Sequence, residues 1–120
     1  MRFLIVDDSK AMRNIVMRTL RQAGYGDHAM DEAINGERAL FAVRTSPPDL
    51  IFCDINMPEM GGLELLKSMR EEGIGVRLGF ITSECTQEMI SSAIAAGAEF
   101  VLTKPFTPAG LKSALSKVLP

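Results

Sequence analysis

Five polar residues, spread over almost the whole chain, each stand at or just beyond the end of an apolar run. Asp7 and Asp8 follow Phe3-Leu4-Ile5-Val6, Asp54 follows Leu50-Ile51-Phe52-Cys53, Thr82 follows Val76 to Ile81, and Lys104 comes just after Glu99 to Leu102. An ionised carboxylate enters an apolar core only at a large desolvation cost, so these acids belong at the rim of a sheet. Asp7, Asp8 and Asp54, brought together, repel one another and call for a hard cation. Mg2+ prefers oxygen ligands and keeps several waters, which leaves a place for a phosphoryl oxygen. With the Lys104 ammonium also drawing charge from that group, a carboxylate oxygen of Asp54 is suited to attack phosphorus in line and form an acyl phosphate.

Each residue also has a plainer reading. Asp54 with Pro58 can begin a turn, Asp8 or Ser9 can cap a helix, Thr82 fits ordinary strand propensity, and Lys104 can be a surface lysine before a turn. Capping accounts for one of the two adjacent acids, not both. The convergence of all five on one edge depends on the elements that carry them.

Phe3–Val6 and Leu50–Cys53 have no polar partner within them, the mark of strands buried on both faces in a parallel sheet covered by helices. Met12, Ile15, Val16, Leu20 and Ala23 recur at helical spacing and Gly24 ends that helix, while Arg13, Arg18 and Arg21 fall on its solvent side as ordinary solvation. Residues 28–33 form a short, polar edge strand, with His28 as an exposed loop residue. Asn35-Gly36 marks a turn before a helix carrying Ala39, Leu40 and Val43. Glu59-Met60-Gly61-Gly62 is a loop opening a helix that packs through Leu63, Leu66 and Met69 with Leu65 adjacent, closed by Gly73 and Gly75. A fourth strand, from Val76 to Ile81, is broken by Arg77 and Gly79; the next helix packs through Met89, Ile90, Ala93 and Ile94 and ends at Ala96-Gly97. Glu99 to Leu102 is the fifth strand, and Thr107-Pro108 starts a last helix packed through Leu111, Leu115 and Val118. Five strand–helix alternations with right-handed crossovers give an α/β fold, a parallel sheet with helices on both faces.

Composition narrows the function classes. The 120 residues, 47% of them hydrophobic, suit one domain with a continuous core, and Thr45-Ser46-Pro47-Pro48 is too short to divide it. A net charge of -2 gives no basic footprint for nucleic acid. No apolar run reaches the roughly 20 residues of a membrane span, and Met1 leads at once into a strand, so a cytoplasmic protein is expected. Cys53 and Cys85 lack the spacing of a zinc site and read as reduced packing thiols.

Asp7-Asp8, Asp54 with Met57-Pro58, Thr82 and Lys104-Pro105-Phe106 together resemble the signature of the receiver domain of two-component response regulators, over the whole chain. Within that family, Met12-Arg13 with Ile15-Val16, Asn56-Met57-Pro58, residues 62–67 and Lys104-Pro105-Phe106-Thr107 are most similar to the stand-alone chemotaxis regulators of the CheY type. The resemblance implies a five-stranded parallel sheet of order 2-1-3-4-5, the flavodoxin-like, CheY-like three-layer sandwich, with residues 1–120 as one receiver domain lacking an output domain. It implies Asp54 as phosphoacceptor, Mg2+ or Mn2+ held by Asp7, Asp8, Asp54 and the Asn56 backbone carbonyl, and Thr82 and Lys104 on the phosphoryl oxygens. The Thr82 hydroxyl would swing toward the new dianion and pull the following loop and helix with it. Asn56 and Glu84 would flank the hydrolytic water and tune phosphoryl lifetime, and Lys104-Pro105 would be cis. The chain departs from the family at Val101, where a Tyr or Phe usually partners the switching Thr, and Phe100 before it faces the other way by strand alternation. Gly61 also replaces a common Asp.

The implied function is a monomeric signalling switch that takes phosphate from a histidine kinase of the CheA type and binds an effector, such as a flagellar switch protein, and that catalyses only its own phosphorylation and dephosphorylation. The resemblance also implies a phosphatase as a further partner; a phosphorelay intermediate or phosphate sink, serving a phosphotransfer protein, is the alternative. A Mg2+-dependent aspartyl-phosphate phosphatase of the haloacid dehalogenase type would normally carry an acid where this chain has Asn56, and a cap insertion over a substrate pocket.

Overall fold

The computed structural model describes residues 1–57, 60–83 and 86–119; the readings that involve Pro58, Glu59, Glu84, Cys85 and Pro120 lie outside the described residues. Strands β1 (Arg2–Val6), β2 (Ala29–Ala33), β3 (Leu50–Cys53), β4 (Arg77–Thr82) and β5 (Val101–Thr103) alternate with helices α1 (Lys10–Leu20), α2 (Gly36–Thr45), α3 (Gly62–Glu71), α4 (Gln87–Ala95) and α5 (Pro108–Ser116). All strand pairs are parallel and the order is β2-β1-β3-β4-β5, as the resemblance implied.

Alternation along the strands divides the interior into two layers. Leu4, Val6, Ile51, Cys53, Leu78 and Phe80 face α2, α3 and α4, whose Leu40, Val43, Leu65, Leu66, Met69 and Ala93 cover them. Phe3, Ile5, Leu50, Phe52 and Ile81 face the other way, under Val16, Met17 and Leu20 of α1 and Leu111 and Leu115 of α5. Side-chain caps fix where four helices begin: Ser9, Asn35, Thr86 and Thr107 each accept a hydrogen bond from the amide three residues on. Such a cap contributes about 1 kcal/mol.

Four expectations change. Gly79 does not break β4: it lies between Phe52 of β3 and Phe100, whose rings approach to 5.9 Å, and a Cβ on Gly79 would lie 2.1 Å from the Phe100 ring. The fifth strand begins two residues later than read and ends one residue later, although the Glu99 amide already donates to Leu78 O at 2.8 Å and the Phe80 amide to Phe100 O at 2.9 Å. His28 is half-buried, edge-on to Phe3 with centroids 5.6 Å apart, because the turn before β2 folds it against the start of β1. Ile15 and Ile94 sit at the margins of their apolar stripes and are exposed.

Candidate functional site

Parallel pairing places the polar ends of the strands side by side. Val6 is in register with Cys53, and the Asp54 amide donates to Val6 O at 3.1 Å, so Asp7 and Asp54 emerge from adjacent strands at one level. Thr82 pairs with Thr103 at the end of β4, and the Lys104 amide donates to Thr82 O at 2.8 Å. That bond returns the lysine side chain toward β3. Its Nζ lies 3.0 Å from Asp54 Oδ2 and 3.6 Å from Asp7 Oδ2. The Lys104–Pro105 peptide is cis, as the resemblance implied.

The surrounding backbone holds the two carboxylates from their other oxygens. Asp54 Oδ1 accepts from the Asn56 amide at 3.1 Å, and Asp7 Oδ1 from the Ser9 amide at 2.9 Å. Gly62 is part of this frame: its amide donates to Ile55 O at 3.0 Å, and a Cβ there would lie 2.6 Å from both Asp54 O and the Phe80 ring. Glycine therefore lets α3 start against the Asp54 main chain, where the sequence suggested only a loop.

The two adjacent acids differ. Asp7 is buried and Asp8 exposed. Burial pushes the Asp7 carboxyl above its usual range; the Ser9 amide and the Lys104 charge oppose that, and the neighbouring Asp54 and Asp8 add to it. Burial, with the charges of Asp54 and Asp7, also pushes the Cys53 thiol well up, so it stays a neutral packing group. Among the described residues no three acids form a ready-made metal-binding group. The donor chemistry nevertheless fits a hard cation: Asp7 and Asp54 converge on Lys104 with Asp8 beside them, and like charge adds to the strain on Asp7.

Of the remaining residues singled out by sequence, Thr82 is fully buried at the end of β4 and Asn56 is exposed beside Asp54. Val101 packs with the α2–α4 layer, whereas Phe100 is buried in the opposite layer against Phe52, as alternation required. Glu84 lies outside the described residues.

Arg13 is the residue that sequence reading misplaced. It is buried, not solvating: Nη1 donates to the Asp7 backbone carbonyl at 2.7 Å and Nε to Glu32 Oε1 at 2.9 Å. Its place four residues after the capping Ser9 puts it over the end of β1, and β2 supplies the acid that pairs with it. The Asp-Asp pair six residues earlier was the available signal.

The family model of the response regulator receiver domain matches residues 3–116. The chain is 40% identical over 120 residues to chemotaxis protein CheY-3 of Vibrio cholerae serotype O1, covering 98% of this chain and 91% of that protein. It is 35% identical over 117 residues to chemotaxis protein CheY of Thermotoga maritima, covering 98% and 96%. The solved structure of the Vibrio cholerae chemotaxis protein CheY4 superposes with a TM-score of 0.85 at 34% identity, over 98% of both chains. With the family model spanning nearly all of the sequence and these relatives matching it end to end, the chain belongs to the response regulator receiver domains and is closely related to the CheY chemotaxis regulators.

Proposed function

We propose that this receiver domain accepts a phosphoryl group on Asp54 from a histidine kinase and signals by binding a protein partner in its phosphorylated form, in the control of chemotaxis. The observation that carries the reading is the approach of Lys104 Nζ to Asp54 Oδ2 at 3.0 Å, beside the buried Asp7. Family membership supports it, since receiver domains partner with histidine kinases and downstream effectors and catalyse no more than their own phosphorylation and dephosphorylation. The chemotaxis names of the relatives support the pathway.

An Asp54 carboxylate oxygen forms the bond to phosphorus as the bond from phosphorus to the kinase histidine nitrogen breaks. The Asn56 amide orients the attacking carboxylate through Oδ1. Lys104 then exchanges its contact with Asp54 Oδ2 for a phosphoryl oxygen, drawing off charge where it develops. Asp7, Asp8, Asp54 and the Asn56 carbonyl would hold Mg2+, which the family uses at its Asp site. When bound, that ion neutralises the acids and polarises the phosphoryl oxygens. The buried Thr82, joined through its carbonyl to Lys104, responds to the new dianion with its hydroxyl and transmits the change to α4 and β5.

The test is labelling with acetyl phosphate and Mg2+. Wild type is expected to incorporate acid-labile phosphate and Asp54→Asn none. Undiminished incorporation in Asp54→Asn would overturn the assignment. Phosphorylation-dependent binding to a flagellar switch peptide supports the chemotaxis output, whereas rapid transfer to a histidine phosphotransfer domain would make the chain a phosphorelay intermediate instead.

A further inference from the structure

The Asp7–Asp8 peptide is gripped from the side away from Lys104. Arg13 Nη1 donates to the Asp7 carbonyl at 2.7 Å, and Nε of the same planar group donates to Glu32 Oε1 at 2.9 Å. The two bonds use different nitrogens, so the guanidinium plane is fixed by β2 on one side and by the end of β1 on the other. Its side chain is only 9% exposed, while that of Glu32 is 39% exposed. Paired at this distance, the positive charge is largely neutralised by Glu32, and what remains for the site is geometry.

That geometry matters because of which peptide is held. The Asp7 carbonyl belongs to the peptide joining the two acids, and rotating it would swing the exposed Asp8 relative to the buried Asp7. Asp7 has further anchors, its own amide on Ala33 O and its Oδ1 on the Ser9 amide. From this we infer that Arg13, backed by Glu32, is a positioning residue that holds the Asp7–Asp8 turn in the conformation in which both carboxylates meet a divalent cation. It touches neither the cation nor the phosphoryl group. The inference rests on the proposed phosphoacceptor reading.

The experiment measures Mg2+ and Mn2+ binding to the full chain by calorimetry, together with the Mg2+ dependence of labelling by acetyl phosphate, for Arg13→Ala, Arg13→Lys, Glu32→Ala and the double variant Arg13→Ala/Glu32→Ala. Outer partners of metal ligands typically change affinity about 10–100-fold. Arg13→Ala is expected to weaken both metals by at least about tenfold, with the labelling rate at saturating Mg2+ and the half-saturating acetyl phosphate concentration close to wild type. Arg13→Lys, which keeps the charge without the two-nitrogen fork, is expected to weaken metal binding too, and serves if the alanine variant does not fold. The double variant should bind metal no more weakly than Arg13→Ala, since Glu32 acts through Arg13. Unaltered metal affinity in a folded Arg13 variant, or additive losses in the double variant, would overturn the inference. Failure of the wild-type chain to take up phosphate would overturn the underlying reading instead, a separate result in the same assay.

Discussion

Lys104 Nζ sits between two acids from adjacent strands, 3.0 Å from Asp54 Oδ2 and 3.6 Å from Asp7 Oδ2. With side-chain exposures of 18% for the lysine, 12% for Asp54 and 6% for Asp7, the group is screened much less than a surface pair. One ammonium thus balances two carboxylates where a bound cation would also act. On the proposed reading, lysine and cation would compete for the same charge.

Lys104→Ala removes the shared counter-ion. Without divalent cation, the variant is expected to lose on the order of 2 kcal/mol of stability, because two neighbouring acids are left uncompensated. Mg2+ should then raise its melting temperature by more than it raises that of wild type. Thermal melts with and without Mg2+ measure this, and an equal or smaller Mg2+ response in the variant would show that lysine and metal do not compete. Labelling by acetyl phosphate is expected to persist in Lys104→Ala while phosphorylation-dependent partner binding is lost.

Asp7 gives a pH dependence of defined sign. Its folded-state carboxyl titrates above the ordinary value of 3.8, first because it is buried. Between those two values the folded chain holds a proton that the unfolded chain has released, so this group's contribution to stability falls as pH rises through the window and is recovered as pH falls. Asp7→Asn removes that slope. Metal-free Asp7→Asn is expected to be more stable than wild type at pH 7, with the difference shrinking toward pH 3.8 and below. Urea denaturation of both proteins across that range checks it; a variant less stable at pH 7 contradicts the sign.

Gly62→Ala tests the link between the start of α3 and the site. The new Cβ would press on Asp54 O and the Phe80 ring, both at 2.6 Å, and neither the main chain nor the buried ring is free to yield. A loss of about 1–3 kcal/mol is expected, accompanied by slower labelling at saturating Mg2+. Destabilisation with wild-type labelling kinetics would separate Gly62 from the site.

Gly79→Ala probes the fold apart from the site. Its Cβ would lie 2.1 Å from the Phe100 ring, so the ring must leave its place beside Phe52. The expected cost is about 1–3 kcal/mol. Combining it with Phe100→Leu should cost less than the sum of the two single changes, because the smaller side chain relieves the clash. Denaturant midpoints of the two single variants and the double variant decide it.

Much of this protein is local and therefore legible in its residues. Apolar runs ending in Asp7, Asp54 and Thr82 mark strands with polar tips, and caps such as Ser9 and Thr107 fix helix starts, because these preferences depend on a few neighbouring residues. The convergence of the polar tips on one edge follows from the alternation of parallel strands and right-handed crossovers. The strand order came from family resemblance, since alternation alone allows several orders.

Tertiary structure decided what depends on partners distant in sequence. Asp7 and Asp8 are chemically equal as letters, yet one is buried against Lys104 and the other exposed. Arg13 falls outside the apolar stripe of α1, yet its head is buried because β2 brings Glu32 from 19 residues away and the end of β1 offers the Asp7 carbonyl as acceptor. Helical spacing sets the side from which a residue leaves the helix. Where a long cationic side chain ends is set by the charges and carbonyls that other segments place within its reach.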